Sequence, residues 1–225
     1  MAIAHLQALG GQLQRHGATL VSTAATYAAY EPAAPPNYAV RLSGGTYGFG
    51  PASADFILGQ DFEMRLKHRP LDDSAQYLFA FGDNNTHVAI IRGFVAGKYE
   101  LFAANGTVLI RATLPVVTTV GSWNDVRFLY QGGRVKGYLN DTLLYDEAGT
   151  FTPPGSTTGL LVGTVNPNTG ADYGDYDNLA LYKAGVQVFE YKFFEGTGPT
   201  AADRLNRYAP IVTTGGAGPW SWITL

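Results

Sequence analysis

The chain contains no cysteine, which excludes disulfides and thiolate metal centres and leaves the redox compartment unread. Charge is also scarce. Asp, Glu, Lys and Arg together make up 15% of the 225 residues, against about 25% in an ordinary soluble domain. A surface so thinly charged is expected to be covered in part by other subunits. The net charge of −3 leaves no basic footprint, so nucleic acid is not an expected partner. No run approaches the ~20 apolar residues of a membrane span, and no membrane contact is expected. The N-terminal stretch places Gln, Arg and His where a secretory leader needs an unbroken apolar run, so export by that route is not expected either.

What the chain has instead is apolar and aromatic residues, 46% and 13% of the total, set out with a period of two. The most informative stretch is Trp123 to Tyr145. Val126, Phe128 and Tyr130 alternate with Asp125, Arg127 and Leu129, which is the signature of a strand. Gly132-Gly133 supplies the positive φ angles of a tight hairpin. Val135, Gly137 and Leu139 then alternate with Lys136, Tyr138 and Asn140 before Asn140-Asp141 reverses the chain again. Phe62, Met64 and Leu66 alternate in the same way with Glu63, Arg65 and Lys67, and YAVRLSGGTYGFG (38–50) reads as a hairpin. The runs AQYLFAFGD, HVAIIRG, KYELFAAN, TVLIRATL, GLLVGTV, NLALYKA and VQVFEYKFFEG follow, with turn residues between them. The pattern predicts an all-β protein, an antiparallel two-sheet jelly-roll sandwich over residues 37–194 with an extended arm at each end.

Residues 1–36 form the first arm. Ile3, Leu6, Leu9 and Leu13 have helical spacing, and Pro32, Pro35 and Pro36 then mark an extended connector. Residues 195–225 form the second, an apolar, glycine-rich tail ending in Trp220, Trp222, Ile223 and Leu225. Exposed tryptophans need a partner. Either the tail folds back on its own sandwich, or Trp220 and Trp222, with Tyr27 and Tyr30 of the first arm, anchor contacts between subunits.

Four segments in order resemble the laminin-G-like, or concanavalin A-like lectin/glucanase, superfamily. YAVRLSGGTYGFG stands at the entry, and DFEMRLKHR resembles the family's "dFTvefWvk" strand. WNDVRFLYQGGRVKGYLND resembles its "W-x-x-V…G…l-Y-v-N-G" hairpin, and YDNLALYK its closing "iDdvriyn" strand. FFEGTGPTAAD resembles the segment that usually opens such a repeat, here placed after it. The resemblance implies two sheets packed face to face with Greek-key connections.

It also frames the candidate sites. The glucanase branch carries an E-x-D-x-x-E strand; this chain has none, and Asp61 with Glu63 reads as a solvated strand edge. Neither a Ser-His-Asp order nor a zinc-ligand spacing is present, so no catalytic residue and no enzymatic activity are expected. No cofactor is expected unless it is Ca²⁺, which many laminin-G-like domains hold at a sandwich rim. Asp172, Asp175, Asp177 and Asn178 offer oxygen ligands for it, and the competing reading is a polar turn whose carboxylates cap backbone amides. Tyr173 and Tyr176 interleave with these acids and, with the Asn85 turn, make a candidate glycan site. The Trp123–Tyr145 hairpin itself reads as scaffold.

Sandwiches with short arms at both ends resemble those of tailed-phage virion proteins. That resemblance implies a non-enzymatic virion structural protein, decorating a capsid or forming part of a tail, with copies of itself and neighbouring virion proteins as partners. The alternative is a lectin-like module that recognises host-surface glycans.

Overall fold

A computed structural model describes residues 38–43, 46–58, 61–82, 86–105, 108–149, 159–164, 174–193, 195–214 and 220–225. The chain divides into two units, Met1–Pro35 and Pro36–Leu225. The structural description concerns the second; the helix expected near the N-terminus, Tyr27 and Tyr30 lie outside the described residues.

The second unit is a sandwich of two antiparallel sheets whose strands are numbered in chain order. The first sheet runs β10 (Thr142–Ala148), β9 (Arg134–Leu139), β8 (Asn124–Gln131), β3 (Phe62–Pro70), β12 (Gly174–Lys183), β1 (Tyr38–Leu42) and β16 (Ser221–Thr224), with β13 (Val186–Tyr191) also paired to β12. The second runs β14 (Thr200–Ala201), β15 (Ile211–Thr214), β2 (Tyr47–Phe49), β11 (Leu160–Val162), β4 (Gln76–Gly82), β5 (Thr86–Arg92), β6 (Tyr99–Asn105) and β7 (Val108–Thr113). Among the described residues there is no α-helix. The all-β jelly-roll sandwich expected from the alternation is therefore the observed architecture.

Period-two patterning places each side chain. In β3, Phe62, Met64, Leu66 and His68 are buried, while Glu63, Arg65, Lys67 and Arg69 stay partly exposed. In β8, Val126, Phe128 and Tyr130 face inward and Asp125 and Arg127 outward. Inner residues of both sheets join in one core, with Leu78, Phe79, Phe81, Ile90 and Leu101 from the second. The sheets approach closely at Gly137, where a Cβ would lie 2.5 Å from Leu114 and 2.9 Å from Phe128. The hairpins turn as the sequence predicts: Gly132 and Gly133 have φ of 56° and 73°, and Asn140 and Asp141 have 49° and 62°.

Two expectations are corrected. Residues 38–50 are not a hairpin, because β1 pairs with β12 and β16 in the first sheet whereas β2 pairs with β11 and β15 in the second. The chain changes layer between them. Nor is the C-terminal segment a separate tail. It adds β14 and β15 to one sheet and β16 to the other, and its apolar residues complete the core. Trp220 is 4% exposed, packs edge-on against Phe193 and Trp222, and with Trp222 donates an indole N–H to the Gly198 carbonyl, at 3.2 and 2.7 Å. Trp220 is thus committed to the core of its own chain, and Trp222 is partly buried against the same core.

One buried histidine lies beneath the first sheet. His68 is fully enclosed, with Nδ1 2.9 Å from the Tyr99 hydroxyl and its ring against Tyr176. Burial, and secondarily the nearby Arg92, pulls it down to about 3. Arg92 is itself fully buried and donates to the Asp72 carbonyl at 2.9 Å and to Thr118 Oγ1 at 3.1 Å, tying two loops together.

Trp220→Ala is expected to cost about 3–5 kcal/mol, with a Tm that does not change with protein concentration. A concentration-dependent Tm in the parent chain, lost in the variant, would place Trp220 between subunits instead. For His68, the unfolded chain takes up a proton near 6.5 and the folded chain only near 3, so folding stability falls as pH drops through that window. The slope for one such proton is about 1.4 kcal/mol per pH unit. Urea titrations from neutral pH to pH ~4 should show a shallower decline in His68→Gln than in the parent.

Candidate functional site

The outward residues of β3, β8, β9, β12 and β1 fall into cross-strand rows, because register places them opposite one another. One row is Arg41, Asp175, Arg69. The next is Asp177, Lys67, Asp125, and the third brings Arg65 opposite Arg127 and Arg127 opposite Tyr138. The first two rows alternate in sign. The third sets two guanidinium groups side by side, a repulsive arrangement relieved by Glu63, which pairs with both Arg65 and Arg127.

Aromatic rings lie beneath the cations. The Arg127 guanidinium stands 4.0 Å from the Tyr138 ring centre, and that of Arg65 stands 4.5 Å from Tyr182. Lys67 and Arg69 flank Trp123 at 5.4 and 5.0 Å.

In the third row the face opens into a cleft of about 250 Å³ lined by Arg65, Asp125, Arg127, Tyr138, Asp141 and Asn178, with Leu66 and Val126 at its floor. Two local devices build it. Asn178 has φ of 54° and sits where β12 slips register between Asp177 and Ala180, so its side chain is carried out of the strand alternation. On the other side, the Asp125 backbone N–H donates to Asn140 Oδ1 at 2.9 Å and the Asn140 N–H to the Asp125 carbonyl at 2.8 Å, which holds the Asp141 turn against β8. Two buried polar atoms at the cleft have no hydrogen-bond partner, Asn178 Oδ1 and Arg127 Nε. Arg127 Nε is 3.3 Å from Glu63 without the geometry of a hydrogen bond.

The residues singled out in the sequence are only partly here. Asp172, Tyr173 and Asn85 lie outside the described residues. Asp175 is on a strand, not in a loop, and is fully buried. Arg41 donates to its two oxygens at 2.7 and 3.0 Å, and Arg69 to one of them at 2.7 Å. Asp177 pairs with Lys67 at 3.3 Å, and burial pushes its carboxyl above the ordinary range against the pull of Lys67. Asp175 and Asp177 thus have their carboxylates engaged by cations rather than turned to a Ca²⁺ ion. Among the described residues no group of three His, Cys, Asp or Glu could hold a metal ion. Tyr176 faces the core with no exposed surface, so it offers no ring to a sugar. It lies opposite the inward-facing His68 of β3, ahead of the register shift at Asn178.

Among the described residues, Asn178 is the one expected ligand that lines the cleft. The others come from the Trp123–Tyr145 hairpin, read from sequence as scaffold, and from β3. Their signal was present as the polar half of an alternating pattern; what the sequence did not show was which polar residues the register would bring together.

No protein-family model matches the chain, and no curated protein matches it in sequence. Solved structures do. A Bacteroides ovatus protein described provisionally as carbohydrate-binding aligns over 85% of this chain at 13% identity and a TM-score of 0.66; the chain spans 61% of that protein's length. The CBM40 module of a Ruminococcus gnavus IT-sialidase, bound to sialyllactose, aligns over 64% of this chain and 89% of its own at 14% identity and a TM-score of 0.55. Mouse laminin α1 LG4-5 aligns over 79% of this chain and 48% of its own at 13% identity and a TM-score of 0.56. These likenesses are of fold, a two-sheet antiparallel jelly roll like that of the laminin LG domains.

Glu63→Gln should lower stability by about 1–2 kcal/mol at low salt, because it leaves Arg65 and Arg127 facing each other. Adding Arg127→Leu should recover much of that loss, giving a coupling energy in a double-mutant cycle measured by urea unfolding. Additive effects would show that Glu63 does not offset this repulsion.

Proposed function

We propose that the protein is a carbohydrate-binding module and that the cleft between β12 and the β8–β9–β10 hairpins receives a sugar ring. The observation that carries this reading is the pairing of opposite functions in one small site. Arg65 and Arg127 donate, Asp125 and Asp141 accept, and Tyr138 supplies an aromatic surface. A sugar hydroxyl both donates and accepts, so a mixed-sign wall serves each hydroxyl, whereas a uniformly charged one would serve only half of its capacity. Asn178 Oδ1, a buried acceptor without a hydrogen-bond partner, lies at the same cleft. The carbohydrate-binding names of the Bacteroides and Ruminococcus structures support the reading. The virion role is weaker, because Trp220 and Trp222 are packed in their own sandwich.

A glycan array followed by calorimetry tests this. The parent chain should bind at least one array glycan. Tyr138→Ala and Asp141→Asn should each weaken that binding about tenfold or more, the loss of one charge-assisted hydrogen bond or stacking contact, while leaving the Tm nearly unchanged. EDTA should have no effect. Undiminished binding by both variants would move the site elsewhere, and an array with no bound glycan would remove the reading.

A further inference from the structure

We infer that the glycan is anionic and longer than one ring, and that its carboxylate or sulfate is read at Arg69, Arg41 and Trp123, on the same sheet face as the cleft; this rests on the carbohydrate reading above. The Arg41–Asp175–Arg69 row has two guanidinium groups and one carboxylate, so it carries a surplus positive charge. Asp175 is fully buried while the side chains of Arg41 and Arg69 keep 37% and 27% of their surface. The buried carboxylate fixes the inner side of both arginines and leaves their outer sides to solvent. Pre-organised guanidinium groups of this kind take an oxyanion with little further loss of side-chain freedom.

Trp123 completes the subsite. Its half-buried ring is flanked by Arg69 at 5.0 Å and Lys67 at 5.4 Å. A ring with an apolar face and an acidic substituent can lie against the indole and direct the substituent to these cations. Lys67 has Asp177 as its own partner, whereas Arg69 shares the single carboxylate of Asp175 with Arg41, so the surplus charge lies with the two arginines.

Distance sets the length. Arg65 and Arg69 are four residues apart on β3, which is roughly 13 Å at the rise of a strand. A single sugar in the cleft does not reach the Trp123 row; a linked oligosaccharide does. A neutral chain on the same track would desolvate the surplus guanidinium without satisfying it, which disfavours it relative to a charged one.

Matched pairs of ligands test the inference: sialyllactose against lactose, oligogalacturonate against its methyl ester, and a sulfated galactan oligosaccharide against its desulfated form. Binding is measured by calorimetry at low and at physiological salt. In the pair that binds, the charged member should be about tenfold tighter, with the ratio shrinking as salt rises. The sialyl and galacturonate arms report a carboxylate and the sulfated galactan arm a sulfate. Arg69→Gln should bring the ratio close to one, and Arg69→Lys should keep most of it. Arg41 still holds Asp175 in Arg69→Gln, and a parallel Tm measurement checks that the fold persists. Tyr138→Ala should weaken both members of a pair alike. Equal affinity for charged and neutral members overturns the inference and leaves the carbohydrate reading standing. A preference that survives both Arg69→Gln and Arg41→Gln also overturns it, because the charge is then read elsewhere. If the array and every pair give no binding, both readings fall.

Discussion

Much of this molecule follows from one strand that cannot move. β3 is hydrogen-bonded on both sides, to β8 and to β12, and its inner residues Phe62, Met64, Leu66 and His68 lie in or against the core. A slip of one residue would drive Glu63, Arg65, Lys67 and Arg69 into that core. The register is therefore fixed, and four adjacent outward positions of a central strand are charged. Glu63 answers Arg65 along the strand; the remaining neutralisation has to come laterally, from whichever residues the flanking strands place opposite. Asp175 and Asp177 arrive from β12 and Asp125 from β8. In a chain where only 15% of residues are charged, such a concentration on one face stands apart from the rest of the surface.

The same constraint explains what could be read from sequence. Alternation in 62–67 and 126–139 depends on neighbours two residues away, so strand identity, facing and the turns at Gly132-Gly133 and Asn140-Asp141 were legible. Partnership was not. Arg41 and Asp175 are 134 positions apart, Arg69 and Asp175 106, and nothing local to either residue names the other. Tyr176 shows the limit of local patterning: strict alternation along GDYDNLALYK would set it on the face opposite Leu179 and Leu181, and only the register shift at Asn178 places all three side chains inside. β1 and β2 were misjoined because a short glycine-containing link serves a hairpin and a change of layer equally well. The tail was mistaken for an appendage because short edge strands carry too few residues to show a period.

The cleft is a different kind of feature, a departure from regularity. β12 follows the alternation until Asn178, whose left-handed backbone breaks it. A left-handed asparagine within a strand is uncommon, and such positions concentrate at sites that need a side chain aimed off the sheet's own pattern. Without the break, the Arg65–Arg127–Tyr138 row would continue as another flat rung. With it, a hollow forms beside two arginines whose electrostatic strain is already relieved by Glu63. Flat rows and one hollow divide the face into a track and a seat.

The pairing of β1 with β16 has a geometric corollary. Tyr38 lies opposite Thr224, so the sandwich begins and ends at neighbouring points on one rim. Four strand spacings separate β16 from β8, roughly 19 Å. Within this sheet, a disturbance at the β1–β16 rim therefore reaches the hollow only through β12 and β3, the two strands between β1 and β8.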